Sequence, residues 1–412
     1  MGEMGERERS TELLARRLLV EKMRQPLSRR QFMTRVGGAA LVTSFGPLLA
    51  ACGGGDDEEG GGGGGTTGGG GGGGEADIGG TLNMVIWDGY DDKQASKPFR
   101  DQYGVQVQPT YIGNNEEIFT KLRAGGVGQI DLVTPYHGYI KVLHEADLIQ
   151  PVDYTRLKNT TYIENFDHPE WNTFDGETFS APYIWGTDPM MYNAKFIKDE
   201  PQSWRDVQKP EYKGKVVMVD DTLGQIMVWG RVLGYEDPTK ITKEQLDDVI
   251  NLLLDIKKNQ ARTFAASWGD MADIMARGDA WISTGGWEAI SMFAAQKGGD
   301  VKSVHPEEGD FAWTDSWVLP NDAPNLDTAY AWIDWMIGPE AQPIVAKNLA
   351  SGVVNQAAVD KLDPDTKAIY PYDNLASVFE KAPNFDIPPR EPEGDLTTLD
   401  DWNEAWERLR AA

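Results

Sequence analysis

The chain has 412 residues and carries 39 Lys and Arg against 65 Asp and Glu, a formal net charge of −26. That balance opposes nucleic-acid binding, which needs basic surface, and opposes flat docking on an anionic membrane. The length suits two domains with extra segments, and a hydrophobic fraction of 40% is enough for a buried core. Beyond residue 52 there is no run of roughly 18 apolar residues, so no membrane-spanning helix is expected there. The four histidines, His137, His144, His168 and His305, lack metal-ligand spacing. Cys52 is the only cysteine, which excludes a disulfide within the chain.

Residues 1–52 read as a targeting segment. Ser28-Arg29-Arg30-Gln31-Phe32-Met33 precedes a modestly apolar run from Val36 to Ala51, and Leu49-Ala50-Ala51-Cys52 follows. The twin arginine before Phe32 resembles a Tat export signal. Leu-Ala-Ala-Cys resembles a bacterial lipobox, in which Cys52 is lipidated and becomes the mature N-terminus. Cleavage there removes nine basic and five acidic residues and leaves a net charge of −30, which favours collecting cations. Residues 53–77 contain 16 Gly. They cannot build a core and read as a flexible tether that keeps a globular head near a membrane partner.

From Ile78 the pattern changes. Thr81–Trp87 predicts a strand, residues 91–103 a helix stopped by Gly104, Val105–Ile112 a second strand and Glu116–Arg123 a helix ended by Gly125-Gly126. Ile130–Thr134 predicts a third strand, followed by a helix through Glu145. Strands alternating with helices at this spacing argue for a parallel sheet with helices on its faces. Ser180–Tyr192 reads as extended and able to cross between domains. A second α/β set follows: strands at Lys215–Val219 and Ala280–Thr284, and helices near 222–234, 243–258, 268–277 and 288–296. Ala312–Leu319 is extended again. The last hundred residues read as mostly helical, with Thr328–Met336, Ala341–Leu349 and Leu399–Arg410 among the helices. Trp332, Trp335, Trp402 and Trp406 recur at helical spacing and read as core.

Ligands of open α/β sheets sit beyond the carboxyl ends of the strands. The residues that follow the predicted strands are Trp87-Asp88-Gly89-Tyr90, Asp220-Asp221, Gly285-Gly286-Trp287 and, in the late extended segment, Trp313-Thr314-Asp315. These ends carry rings and carboxylates, not phosphate-binding glycine loops or basic side chains. An aromatic face attracts a cation by roughly 0.5–2 kcal/mol, and a carboxylate hydrogen-bonded to an ammonium adds about 1.5–3 kcal/mol. Two carboxylates and a few rings reach the ~8 kcal/mol of micromolar binding. Asp221 also stands where a helix N-cap belongs, and Trp185 in the crossing segment reads as hinge or core packing.

Five stretches carry a family resemblance: Pro182-Tyr-Ile-Trp-Gly186, Lys209-Pro-Glu-Tyr-Lys-Gly214, Val219-Asp-Asp221, Leu233-Gly-Tyr235, and Pro306-Glu-Glu-Gly309 leading to Trp313-Thr-Asp-Ser316. From about Thr81 onward the chain resembles the spermidine/putrescine-binding proteins of bacterial ABC importers. The resemblance implies a periplasmic-binding-protein-like α/β fold: two α/β lobes joined by crossing strands, with the ligand in the cleft. It implies residues 78–187 as the first part of lobe I, 188–316 as lobe II, and 317–412 as the return to lobe I plus C-terminal helices. It further implies a monomer that delivers a polyamine-like cation to membrane permease subunits, without a cofactor, from the outer face of the cytoplasmic membrane.

By the same resemblance, Trp87 and Tyr90 match aromatic ligand contacts, Asp221 an acid that holds an amine, and Trp313 with Asp315 a ring and carboxylate for another amine. Trp287 lies two residues from a family tryptophan that falls here on Gly285. A second family acid falls on Gly224 and a tyrosine on Ser351, while Tyr136-His137-Gly138-Tyr139 replaces an aromatic-rich turn. Asp88 or Glu288 are candidates for the missing acid. Other amine-containing solutes (quaternary amines, opine-like compounds, basic amino-acid derivatives) would use the same rings, and an anionic group on them would need Arg231 or Arg262 to approach. An enzyme with Asp221 and Asp315 as an acid/base pair is the alternative of a different class.

Overall fold

The computed structural model describes residues 78–412. The export signal, the lipobox with Cys52 and the glycine tether lie outside the described residues. Among the described residues no helix is long and apolar enough to cross a membrane.

Lobe I is built on β1 (Thr81–Ile86), β2 (Gln106–Tyr111) and β3 (Leu132–Val133), all parallel in the order β2-β1-β3. The period of two along β1 feeds two cores. Leu82, Met84 and Ile86 enter one cluster and Val85 enters another. The helix expected over 91–103 is limited to Lys97–Tyr103. Upstream, the Asp92 carboxylate accepts the amides of Gln94 and Ala95, which holds a turn there. Pro98, lacking an N–H, fits the first helical turn. Gly104, at φ 67°, closes the helix as expected.

Short pairings follow: β4 (Ile149–Gln150), β5 (Thr173–Phe174) and β6 (Glu177–Thr178). The chain then crosses to lobe II along β7 (Ala181–Thr187), wholly buried, and enters that lobe as β8 (Met190–Asn193). Lobe II adds β9 (Val216–Val219), β10 (Ala261–Ala265), β11 (Ile282–Ser283) and β12 (Val301–Val304), in the order β10-β9-β11-β8-β12. β9 to β11 are parallel, and β8 runs antiparallel between β11 and β12 because it carries the crossing chain inward. β10 and β12 are not legible in the sequence. Their Ala-Arg-Thr-Phe-Ala and Val-Lys-Ser-Val runs lack a clean alternation, and pairing with β9 and β8 recruits them.

The helices of lobe II carry their own start and stop signals. Thr242 and Gln245 form a capping box for Lys243–Asn259, and Ser267 with Gly278 brackets Trp268–Arg277. Leu246, Val249, Ile250, Leu253 and Ile256 form the buried stripe of the first.

The return crossing is β13 (Ala312–Trp317), followed by β14 (Leu319–Pro320) and β15 (Gly352–Val353). β13 and β15 flank β7 antiparallel in a three-stranded sheet at the junction of the lobes. After β14 the chain packs helices Leu326–Met336 and Gln342–Leu349 on lobe I.

The last stretch is less helical than expected. From Ala382 to Thr398 the backbone runs without a helix and ties both lobes. Phe385 O accepts from Tyr136 Oη at 2.7 Å, Arg390 pairs with Glu116 at 2.6 Å, and Thr397 N donates to Ile241 O at 2.8 Å. The final helix, Leu399–Ala411, packs on lobe II: Trp402, Ala405, Trp406 and Leu409 are buried with Trp204, Trp229 and Leu253.

Candidate functional site

A cavity of about 360 Å³ lies where the strand ends of both lobes meet the crossing sheet. Trp87, Asp88, Tyr90 and Tyr136 reach it from lobe I, Asp221, Leu223, Gly224 and Trp287 from lobe II, and Asp188, Trp313 and Asp315 from the crossing segments. Ile112, Ile184, Met227, Phe311 and Leu349 supply apolar wall. Among the described residues, no Lys, Arg or His lines it.

Three carboxylates face this space, Asp188 and Asp315 buried and Asp221 half-buried. Asp315 is buried on β13, where the register slips between Asp315 and Ser316 and leaves Tyr183 of β7 unpaired. Such a bulge re-aims a side chain. The Tyr90 hydroxyl donates to Asp315 Oδ2, and burial pushes the Asp315 carboxyl up to about 7, against the pull of that hydrogen bond. Asp221 stands at the N-cap of helix Thr222–Val232 without a capping bond. Burial raises it to about 6; the helix amides of Gly224 and Leu223, beyond capping geometry, oppose that rise and the Asp220 charge adds to it. Asp188 is buried at the end of the outward crossing, and its Oδ1 accepts the Gly286 amide at 2.7 Å. Burial first, then the neighbouring Asp221 charge, holds Asp188 well above the usual carboxylate range. None of the three pairs with a basic side chain among the described residues. Asp88 is the exposed acid at the rim.

The rings are held by backbone features. Trp313 lies across Gly186 of β7, where a Cβ would come within 2.4 Å of the indole, so only glycine permits the ring at that place. Its Nε1 donates to Thr187 O at 3.3 Å. Trp287 meets Trp313 edge to face at 6.3 Å between centroids. Tyr90 sits in the turn after β1, its amide bonded to Trp87 O at 3.2 Å. The indole N–H groups of Trp87 and Trp287 find no acceptor among the described residues.

All seven residues expected at the site, Trp87, Asp88, Tyr90, Asp221, Trp287, Trp313 and Asp315, line this one cavity. Glu288, considered for the missing acid, does not. Its carboxylate accepts the Thr187 amide at 3.1 Å, the Thr187 hydroxyl and the Tyr370 hydroxyl at 3.2 Å, and burial raises it to about 7. It ties lobe II to the crossing strand instead. Arg231 is committed to Asp310 O at 2.9 Å, and neither it nor Arg262 lines the cavity. Ser351 is buried away from the cavity, and Leu349 lines it there. His137 is held neutral, lowered to about 3 by burial, with Nε2 donating to Phe385 O and Nδ1 accepting the Thr314 amide.

The residue that sequence reading missed is Asp188. It follows Thr187 in a segment read only as a crossing, and its lone signal is an acid inside an apolar run. Trp185 is buried against Phe166 and Tyr370, as hinge packing requires.

Two α/β lobes, a crossing sheet and a solute-sized cavity of carboxylates and rings define a receptor that binds a small molecule between its lobes. The chain belongs to the bacterial extracellular solute-binding proteins, whose sequence profile it matches over residues 94–371. It is 29% identical over 302 residues to the spermidine/putrescine-binding periplasmic protein of Escherichia coli, covering 72% of this chain and 84% of that one. A putative spermidine/putrescine ABC transporter protein of Listeria monocytogenes superposes with a TM-score of 0.69 at 22% identity, over 80% of this chain and 98% of that one. A Treponema pallidum lipoprotein does so at 0.63 and 20%, over 81% and 100%. The protein is thus a transport-associated substrate-binding protein that acts outside the cytoplasm.

Proposed function

We propose that this chain is the lipid-anchored receptor of an ABC importer, a monomer that captures a small polyamine such as putrescine or spermidine by closing its lobes over it. The observation that carries this reading is the set of three carboxylates, Asp188, Asp221 and Asp315, that share one cavity with indole rings and, among the described residues, no basic side chain. Carboxylates stripped of water and left without a cation are costly, so the cavity is complementary to a ligand that brings positive charge at more than one point. A ligand with a carboxylate of its own finds no guanidinium here among the described residues. The named ligands of the Escherichia coli and Listeria relatives point the same way.

In this reading Trp87, Tyr90, Trp287 and Trp313 enclose the alkyl chain and present their faces to the ammonium groups. Asp221 and Asp315 anchor two nitrogens, and Asp88 attracts the cation at the rim. The three segments that join the lobes act as the hinge, and the closed form is what the permease receives. The chain has no catalytic step, and the solute leaves unchanged. Cys52 carries the lipid after export of the folded protein, and residues 53–77 let the head reach the permease. The described surface exposes only Tyr111 and Phe196 among its large hydrophobic side chains, in keeping with a monomer.

Titration calorimetry of the soluble protein with putrescine, cadaverine, spermidine, choline and arginine tests the ligand class. Micromolar or tighter binding of a di- or triamine is expected. Binding of none of them would end the reading. Labelled palmitate entering the wild-type chain but not Cys52→Ser tests the anchor.

A further inference from the structure

Gly224, in the first turn of helix Thr222–Val232, carries no side chain into the cavity. A Cβ there would stand 2.2 Å from Asp221 Oδ2 and 2.6 Å from Asp188 Oδ2. Both oxygens therefore converge on the spot that a side chain at position 224 would fill. Asp188 reaches it from the crossing segment, steered by the Gly286 amide on its other oxygen. Gly285 leaves room for the same approach, since a Cβ there would lie 3.1 Å from Asp188 Oδ1 and 2.3 Å from Gln225 Nε2. The Asp188 oxygen that faces Asp221 receives no hydrogen bond from any described residue.

We propose that Asp188 and Asp221 together form a single seat for a primary ammonium group, with Asp188 supplying from the crossing segment the second carboxylate that Gly224 makes room for. The proposal rests on the amine reading above and sharpens it. A primary ammonium offers three N–H donors to two converging carboxylates, and charge-assisted bonds of this kind are the strong ones. A quaternary ammonium offers none and would leave the two converging oxygens without the donors they face. The seat therefore selects terminal primary amines and rejects fully methylated ones of the same charge.

Its position gives a second consequence. Asp188 directly follows Thr187, whose amide and hydroxyl bond Glu288 of lobe II. Seating an ammonium on Asp188 thus adds a contact at the junction about which the lobes turn, while Asp221 adds one on lobe II itself.

The test compares wild type, Asp188→Asn, Asp221→Asn, the double variant and Gly224→Ala by calorimetry with 1,4-diaminobutane and with its bis-trimethylammonium counterpart. Wild type is expected to favour the primary diamine by at least tenfold. Each Asn variant is expected to lose at least tenfold, and the double variant clearly less than the product of the two losses, because both act on one nitrogen. Asp188→Asn keeps an oxygen for the Gly286 amide, so a purely architectural Asp188 would leave affinity within twofold, and that result overturns the seat. Gly224→Ala removes no charge and favours the helix; by wedging the two carboxylates apart it is expected to weaken binding at least fivefold. Affinity unchanged in Gly224→Ala, or losses that simply multiply in the double variant, would equally refute the shared seat while leaving the amine reading intact. Wild type that binds no primary amine would remove both.

Discussion

Lowering the pH from 7.5 to 5.5 should weaken amine binding at least about a hundredfold. Asp315 is held near 7 and Asp221 near 6, each raised chiefly by burial. An alkylammonium with a pKa near that of Lys, about 10.4, stays charged throughout. It binds the ionised carboxylates, so every proton on these carboxyl groups must leave first. Over this interval the ionised fraction of Asp315 falls about 25-fold and that of Asp221 about fourfold, given the directions and values above. Together that is about a hundredfold, or roughly 2.7 kcal/mol. Asp188, raised well above its usual range by burial and then by the charges of Asp221, Asp310 and Glu288, adds to the proton release and does not oppose it. The groups around Asp315 are Tyr90 and Tyr136, both pushed further up by its charge and therefore neutral across the interval. Calorimetry at pH 7.5, 6.5 and 5.5 measures the change. At pH 6, runs in buffers of different ionisation enthalpy should show about one proton or more released per ligand. A dissociation constant constant within threefold and a heat independent of buffer would refute the electrostatic account of the site.

Three further outcomes are expected. Asp315→Asn should raise the melting temperature of the ligand-free protein at pH 7.5 and leave it unchanged near pH 4. The native carboxyl keeps a proton up to about 7 that the unfolded chain releases near 3.8, so this group's contribution to stability falls as pH rises between those values; the same variant should lose most of the ligand-induced shift. Trp313→Ala should weaken binding about tenfold or more, since it removes a ring face worth about 0.5–2 kcal/mol together with packing against Trp287, and calorimetry reads this directly. Trp402→Ala should cost about 3–5 kcal/mol in denaturant unfolding, because that buried indole moors the last helix to lobe II; amine affinity at full folding should be unchanged.

The local chemistry of the site was open to reading because it sits where strands end. Trp87, Tyr90, Asp221 and Trp287 each follow a strand whose apolar run is visible in the chain, and the rule that ligands gather at such ends needs no contact map. Trp313 and Asp315 were visible for a related reason: an acid and an indole within one extended run have no place in an ordinary core. Helices with capping boxes and regular apolar stripes, such as Lys243–Asn259, were legible for the same local reason.

What the chain by itself determined, then, is the two-set α/β pattern, the helix boundaries with caps, and the rings and acids at the strand ends. What tertiary structure decided is which partners those groups meet. The short strands Ala261–Ala265 and Val301–Val304 exist only through pairing with neighbours. The last helix chose lobe II over lobe I because its Trp402 and Trp406 find their cavity there. Glu288 became a tie to Thr187 and Tyr370 instead of a cavity acid. Asp188 lines the cavity because Gly224 and Gly285, both far from it along the chain, leave its carboxylate room. Pattern along a chain encodes what each residue tends to do locally, whereas the energy of a buried charge depends on what lies across a few ångströms of space, which no local pattern records.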